Sequence, residues 1–211
     1  MAGKGGDERT EPRPSPRNKR AEIVAVATEF FGDNGYEDTR WADVASAVGL
    51  GPTALYHYFE SKQHCLFEIL VEAVDDALAE FTELNQGEFA VAFPAVVRGS
   101  FDRDEREVRR ARVLVAEQGL VRHPREAPRE EEARLRAYAR LKLYEESWRD
   151  LLAAGMTAGT IRTVDADLLT RLVIGAYNSV WQWYRPDGRL ALDQVADFYM
   201  PRLLALAGLP E

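Results

Sequence analysis

Apolar residues recur along this chain with the spacing of helices. In the segment from Lys62 to Leu84 they fall three or four residues apart: Leu66, Leu70, Ala73, Ala77 and Phe81. That spacing matches the period of an α-helix, and no stretch shows the alternation of a half-buried strand. The pattern therefore predicts an all-α protein of about nine helices: 17–34, 40–48, 52–59, 62–84, 88–100, 104–121, 129–154, 165–184 and 192–207.

The second and third of these helices are short and are joined by a tight glycine turn. Thr39 is a candidate N-cap for the first, and Gly49 lies where a helix needs a left-handed stop. Pro52 suits the first position of the second helix, because it has no N–H to leave unpaired. The faces of that helix divide into inward Leu55 and Phe59, outward Thr53, Tyr56 and His57, and Tyr58 at the edge. A helix-turn-helix places such an outward face in the major groove of DNA.

The same region resembles the tetracycline-repressor (TetR) family of bacterial transcriptional repressors. The residues that match are Ala27, Phe30, Phe31, Gly35, Thr39, Val44, Ala45, Gly49, Leu55, Tyr56, Phe59 and Lys62. The close match covers about residues 17–70, and beyond it the likeness is one of architecture and length. One departure is Gly51-Pro52, where many members carry Ser followed by Lys or Arg, so the target sequence of this chain does not follow from the resemblance.

The resemblance implies a set of DNA-binding residues. Tyr56, with His57 or Tyr58, would touch phosphates or base edges, and Thr53 would enter the groove. Thr39 and Lys62 would grip the DNA backbone. With two neighbouring arginines, the candidates are Arg17, Thr39, Arg40, Thr53, Tyr56, His57, Tyr58 and Lys62.

Charge and composition set limits on this picture. The 211-residue chain has a net charge of −8, so we expect a focused DNA contact and weak non-specific binding. Arg13, Arg17, Lys19 and Arg20 form a basic cluster that is either a solvated tail or a DNA-contacting arm. Residues 1–16, rich in Gly, Pro and charge, are predicted to be a disordered arm. A helix-turn-helix domain (17–62) and an effector-binding and dimerisation domain (63–211) would follow.

The chain has no apolar run long enough to span a membrane and no secretion signal. Its single cysteine, Cys65, cannot form an internal disulfide, which suits the cytoplasm. His64 and Cys65 are adjacent and would point about 100° apart on a helix, so no metal spacing is present. We see no catalytic motif and predict neither an enzyme nor a cofactor.

The helix of 165–184 is apolar nearly all round, so it must be covered on two sides. The resemblance implies that the last two helices form a four-helix dimer interface, and a homodimer would read a palindromic operator. The alternative is a helix buried within a monomer. The candidate interface residues are Leu169, Val173, Val180, Tyr184, Val195, Tyr199 and Leu203.

Aromatic residues at helical spacing in 129–154 and 165–184 suggest an effector pocket, because pockets are mostly apolar with a few polar groups. The alternative is packed core. The candidates are Glu117, Gln118, Tyr138, Tyr144, Trp148, Tyr177, Asn178 and Trp181. Asn178 is the most informative of them, since a buried amide needs a partner. An arginine at the mouth could come from Arg109, Arg110 or Arg112.

Two segments, 160–169 and 181–188, resemble TetR-type repressors of lipid and steroid catabolism in actinomycetes, several of which respond to acyl-CoA thioesters. The prediction is thus a ligand-responsive repressor, released from DNA by a hydrophobic or acyl-CoA-like effector, with a planar hydrophobic drug as the competing effector. The different reading is a small all-α ligand-binding protein or enzyme with a vestigial helix-turn-helix.

Overall fold

The computed structural model describes residues 16–209, and within them it contains helices and no strand. The α-helices are α1 (Pro16–Asn34), α2 (Trp41–Ala47), α3 (Lys62–Leu84), α4 (Phe89–Gly99), α5 (Glu105–Glu117), α6 (Pro128–Thr157), α7 (Ala166–Trp183) and α8 (Leu192–Ala207). Two 3-10 helices accompany them, Pro52–His57 and Gln118–Arg122. The all-α class is confirmed, and helical structure lies at each of the nine predicted positions, with the predicted helix of 104–121 divided into α5 and the second 3-10 helix. The predicted arm, apart from Pro16, lies outside the described residues.

One apolar cluster holds the N-terminal helices together. Its members come from α1, α2, the first 3-10 helix and the first half of α3, with further side chains from α5 and α6. Val44, Leu55 and Phe59 are fully buried there, as the periodicity of the two short helices requires. The packing of α5 and α6 onto this cluster brings the rest of the chain directly against the helix-turn-helix.

A second apolar cluster lies between α4, α6, α7, α8 and the end of α3. It is rich in aromatic rings, and Phe81, Phe93 and Trp148 meet edge to face. The 30-residue α6 reaches both clusters. The predicted domain boundary at residues 62/63 stays a prediction.

The structure corrects the form of the second short helix. Pro52–His57 is a 3-10 helix rather than an α-helix, closed at its start by the N–H of Ala54 donating to Gly51 O at 2.9 Å. A 3-10 helix has three residues per turn, so Thr53 and Tyr56 lie one above the other on the same face. The helix is called the recognition helix below.

Candidate DNA-binding surface and effector cavity

The recognition helix is fixed from the inside and left open on the outside. Leu55 and Phe59 anchor it in the N-terminal cluster, while Thr53, Tyr56 and His57 are exposed. Tyr56 is 54% exposed, so its amphipathic phenol side chain faces solvent. Within residues 16–209 none of the three outward side chains forms a hydrogen bond or ion pair. They are therefore free to bind a ligand presented to that face.

The turn before this helix depends on two local features. Gly49 has a φ of +68°, the left-handed region that glycine adopts without strain. Lys19 of α1 donates from Nζ to the carbonyl oxygen of Val48 at 2.6 Å, so a cation satisfies the C-terminal end of α2. The orientation of the recognition helix relative to α2 is set by this turn.

The prediction that Thr39 grips the DNA backbone is wrong. Thr39 is buried, and its hydroxyl donates within the protein to the carbonyl oxygens of Gly35 (2.8 Å) and Phe30 (3.1 Å). It is not the N-cap either, because Arg40 occupies that position without a side-chain cap bond. The hydroxyl of Thr39 thus stabilises the loop between α1 and α2.

Lys62 has partners within the protein, and its contact with the DNA backbone stays a prediction. Its ammonium lies 4.2 Å from the centre of the Tyr36 ring and donates to the carbonyl oxygens of Tyr36, Thr39 and Glu37 at 2.6, 3.0 and 3.4 Å. An ammonium has three N–H donors, and here all three stay inside the protein. Lys62 ties the start of α3 to the α1–α2 loop.

Two residues of the basic cluster of the N-terminus are engaged as well, and Arg13 lies outside the described residues. Lys19 pairs with Glu22, and Arg20 with Glu68. Arg17 is exposed, and the guanidinium of Arg40 is 82% exposed despite a 3.1 Å contact with Asp43. Of the basic candidates that the structure describes, Arg17 and Arg40 also remain predictions for phosphate contact. Tyr58 is half-buried, and its carbonyl oxygen is occupied by Arg129.

A cavity of about 300 Å³ lies between α5, the second 3-10 helix, α6 and α7. Four predicted effector residues line it: Gln118, Tyr138, Tyr144 and Asn178. A smaller cavity of about 40 Å³ adjoins it and adds Tyr177 and Trp181. Asn178 faces both cavities and, contrary to expectation, has no hydrogen-bond partner within the described part of the chain. A free amide in a mostly apolar cavity is the kind of group that orients a ligand.

Two predicted effector residues lie elsewhere. Trp148 is buried in the second cluster, with Phe81 and Phe93 at 5.5 and 6.2 Å between ring centres, and lines neither of these cavities. Glu117 faces a separate cleft on the other side of α5, beside Tyr36. The aromatic side chains of α6 are thus divided between the cavity and the core. The reason is that α6 packs against other helices on two sides.

The cavity has a cationic rim that the sequence analysis did not identify. Arg122, Lys142 and Arg171 line it together with Glu145, which accepts a 3.6 Å contact from Arg171. Lys142 follows Tyr138 by one turn of α6, so periodicity could have indicated it. Arg122 and Arg171 come from other elements, and no sequence signal links them.

Of the arginines first suggested for the mouth, Arg110 lines the smaller cavity, and none of the three lines the larger one. Arg109 pairs with Asp33 at 2.9 Å, and Arg110 forms ion pairs with Asp76 and Glu72. Arg112 borders the cleft that also contains Glu117. Burial, and then the nearby charge of Arg185, lower the pKa of Arg112.

Burial raises the pKa of both Tyr144 and Tyr177. Their phenols therefore stay neutral at physiological pH and act as hydrogen-bonding groups. Tyr177 already donates to the carbonyl oxygen of Ser100 at 2.8 Å. Tyr144, which lines both cavities, is the phenol better placed to meet a ligand.

The predicted dimer residues lie on the wrong faces of α7 and α8. Six of the seven are buried within the chain itself: Leu169, Val173, Val180, Tyr184, Val195 and Leu203. Tyr199 is half-buried, its hydroxyl 3.2 Å from that of Ser179. The exposed apolar side chains of the two helices are Leu168, Leu172, Trp183, Phe198 and Leu206. A helix that is apolar all round has two apolar stripes, and only packing decides which one faces the chain's own core.

The part of the chain described here, 16–209, contains no group of three or more His, Cys, Asp or Glu side chains arranged to hold a metal ion. Nor is any helix within this range long and apolar enough to cross a membrane.

Two known protein families match this chain. Residues 23–69 match the family described as bacterial regulatory proteins, tetR family, and residues 116–207 match the tetracyclin repressor-like C-terminal domain. The second of these ranges contains the residues of the cavity on the second 3-10 helix, α6 and α7.

Several known proteins are similar to this chain over nearly its whole length. The transcriptional repressor KstR2 of Mycolicibacterium smegmatis is 27% identical over 203 residues, covering 90% of each chain. The structure of PfmR, a TetR family regulator from Thermus thermophilus, has a TM-score of 0.72 at 30% identity and covers 90% of this chain and 99% of its own.

Two further structures share the architecture. KstR2 of Mycobacterium tuberculosis, described as a ketosteroid transcriptional regulator, has a TM-score of 0.71 at 25% identity, covering 93% of this chain and 97% of its own. AibR, in complex with isovaleryl coenzyme A and operator DNA, has a TM-score of 0.72 at 22% identity, covering 87% and 97%. At that identity AibR supports the fold alone.

Proposed function

The chain belongs to the TetR family of bacterial regulatory proteins, and on that premise we propose that it is a dimeric, ligand-responsive transcriptional repressor. Its recognition helices would bind an inverted-repeat operator, and an effector in the cavity of α5, α6 and α7 would release it. Such a repressor would act in the cytoplasm.

The observation that carries the proposal is the open face of the recognition helix. Thr53, Tyr56 and His57 project from a helix anchored by Leu55 and Phe59, so contact side chains stand on a rigid support. Hydroxyl, phenol and imidazole groups can donate to phosphates and to base edges. A ligand-binding protein or enzyme of the same fold would have no use for these three exposed groups.

The dimer would form through the exposed stripe of α7 and α8. Leu168, Leu172, Gly175, Ser179 and Trp183 repeat every three or four residues along one side of α7. Leu168 and Leu172 are 66% and 51% exposed. Phe198 on α8 is 56% exposed, and its ring is covered by the guanidinium of Arg202 at 3.6 Å. Exposed apolar side chains repeated along one helix face favour an interface, and a two-fold dimer matches an inverted repeat.

The effector would be an amphipathic anion. Its apolar part would lie against Tyr144, Ile174 and Leu114, which line the cavity, and Asn178 would orient it. Its anionic part would meet the rim of Arg122, Lys142 and Arg171. An acyl thioester of coenzyme A combines these two halves, and the KstR2 relatives, one of which is described as a ketosteroid regulator, favour a carbon skeleton derived from a lipid or steroid.

The test is a selection of random duplexes on the purified protein, followed by binding measurements on the enriched site. Enrichment of an inverted repeat is the expected result, and failure of a folded, ligand-free dimer to enrich any sequence would refute the proposal. Tyr56→Ala should then weaken operator binding about tenfold or more, since a good contact contributes about 1–3 kcal/mol. Tyr138→Ala, which removes a tyrosine from the cavity, is the matched control and should leave operator affinity unchanged.

A further inference from the structure

The first turn of α6 lies against the end of the recognition helix. The guanidinium of Arg129 donates to the carbonyl oxygen of Tyr58 at 3.0 Å. The backbone N–H of Glu130 donates to Oε2 of Glu60 at 2.9 Å. The hydroxyl of Ser61 donates to Oε2 of Glu130 at 2.5 Å. Three bonds thus join Tyr58, Glu60 and Ser61 to two residues of α6.

One of these bonds, from the N–H of Glu130 to Glu60, satisfies a group that α6 cannot satisfy by itself. The helix starts with Pro128, and its N-cap, Ala127, forms no side-chain cap bond. The first N–H groups of a helix have no intrahelical partner, and an anion is favourable beside them. Glu60 supplies that anion from the helix-turn-helix side. The start of α6 is therefore capped by a residue of the segment that holds the recognition helix.

Glu130 connects the bonds into one network. It is a buried carboxylate, 7% exposed, and Nε of Arg125 lies 3.4 Å from its other oxygen. Its partner Ser61 has two roles, because the same hydroxyl oxygen accepts from the N–H of His64 at 2.9 Å and so caps α3. Removing the Glu130 carboxylate would leave the hydroxyl of Ser61 without this acceptor and the guanidinium of Arg125 without this ion-pair partner.

The same stretch of α6 also holds the wall of the effector cavity. Arg134 donates to the carbonyl oxygen of Val121, a cavity residue, and is paired with Glu131 at 2.6 Å. Glu131 in turn accepts from the N–H of Arg125 at 2.8 Å. The start of α6 therefore contacts both the cavity wall and the recognition helix. This contact is separate from the covalent connection along α3.

We propose that the first turn of α6 positions the recognition helix for DNA, and that Glu130 is the positioning residue. This inference rests on the proposed function for its DNA readout, but the ordering of residues 55–61 by Glu130 is measurable without DNA. Glu130 itself is buried and touches no operator, so its effect would pass through Ser61 and the recognition helix.

The first experiment is hydrogen exchange on Glu130→Ala in the full chain without DNA. We expect amide exchange in residues 55–61 to rise about tenfold, because local opening loses the bonds to α6. Glu132→Ala is the matched control, an identical change two residues along on an exposed side chain. Glu130→Gln keeps an acceptor for Ser61 and should rescue part of the protection. Equal exchange in the Glu130→Ala and Glu132→Ala variants, or a rise spread over the whole chain, would overturn the inference.

The second experiment is operator binding by the same variants at several salt concentrations. Glu130→Ala should weaken binding about tenfold while the slope of log K against log salt stays unchanged, since no phosphate contact is lost. A reduced slope, or wild-type affinity, would contradict positioning. If wild-type protein enriches no duplex, the proposed function fails, whereas the exchange experiment still decides the role of Glu130. If Glu130→Ala does not fold, Arg129→Ala, which removes a surface contact to Tyr58, replaces it with the same expectations.

Discussion

Glu68 provides the sharpest test of how the helices are held together. Its carboxylate oxygen lies 2.8 Å from Arg20 of α1, 2.7 Å from Arg136 of α6 and 3.5 Å from the imidazole of His64. The carboxylate side chain is only 10% exposed. One acid on α3 thus joins three helices, so replacing it with glutamine removes the charge on which all three contacts depend.

The structure sets the size of the effect. Burial alone would raise the pKa of Glu68, but hydrogen bonds from His64 and Arg20, the charge of Arg20 and a hydrogen bond from Arg136 lower it from 4.5 to about 2. Because the folded-state pKa is lower than the unfolded one, the carboxylate stabilises the fold above pH 4.5 and loses this effect as the pH falls towards 2. The difference between the two pKa values corresponds to a stabilisation of the fold by about 3 kcal/mol at pH 7 and about 1.4 kcal/mol at pH 3.

Urea unfolding of wild type and Glu68→Gln at pH 7, 4 and 3 measures this contribution. The free energies of unfolding should differ by about 3 kcal/mol at pH 7, and the gap should shrink to about half at pH 3. Glu83→Gln, an exposed position on the same helix, should stay within about 0.5 kcal/mol of wild type. A gap that is independent of pH, or smaller than about 1 kcal/mol at pH 7, would refute the reasoning, since a small, pH-independent gap is what a carboxylate with an unperturbed pKa would give.

Two further predictions concern Lys62 and the dimer surface. Lys62→Met should cost about 1–3 kcal/mol of stability by leaving the carbonyl groups of the α1–α2 loop unpaired, with no change in the salt slope of operator binding; a slope reduced by about one would identify Lys62 as a phosphate contact. Leu172→Asp should convert a dimer into a monomer in sedimentation equilibrium, whereas the same change at Leu143, an exposed leucine on α6, should leave it dimeric. Dimers of both variants would exclude the α7 stripe as the interface.

The boundaries of the helices were accessible from sequence because they depend on local interactions. The period of apolar residues, the glycine stops and the proline starts all act within a few residues of one another. The outward face of the recognition helix was accessible for the same reason: Leu55 and Phe59 had to be buried, so Thr53 and Tyr56 had to point away. The 3-10 form of this helix did not alter that division.

The partners of individual polar groups were decided by tertiary contacts. Thr39 and Lys62 are residue types that often contact DNA, but carbonyl groups of the loop 35–39 accept their hydrogen bonds. The same limitation affected the cavity, whose cationic rim comes from three separate elements. A side chain that can donate to a phosphate can equally donate to a carbonyl group, and only the fold brings one of the two within reach.

The amino-acid sequence by itself thus determined the helical class, the position of the helix-turn-helix and the helices that carry the cavity and the exposed apolar stripe. The tertiary structure decided which stripe of α7 is core, which candidates line the cavity, and that α6 is capped by Glu60. The physical reason is the sequence separation of the interacting residues. Periodicity and capping are set by neighbours in the chain, whereas burial and hydrogen-bond pairing depend on residues far apart in sequence, such as Ser61 and Glu130.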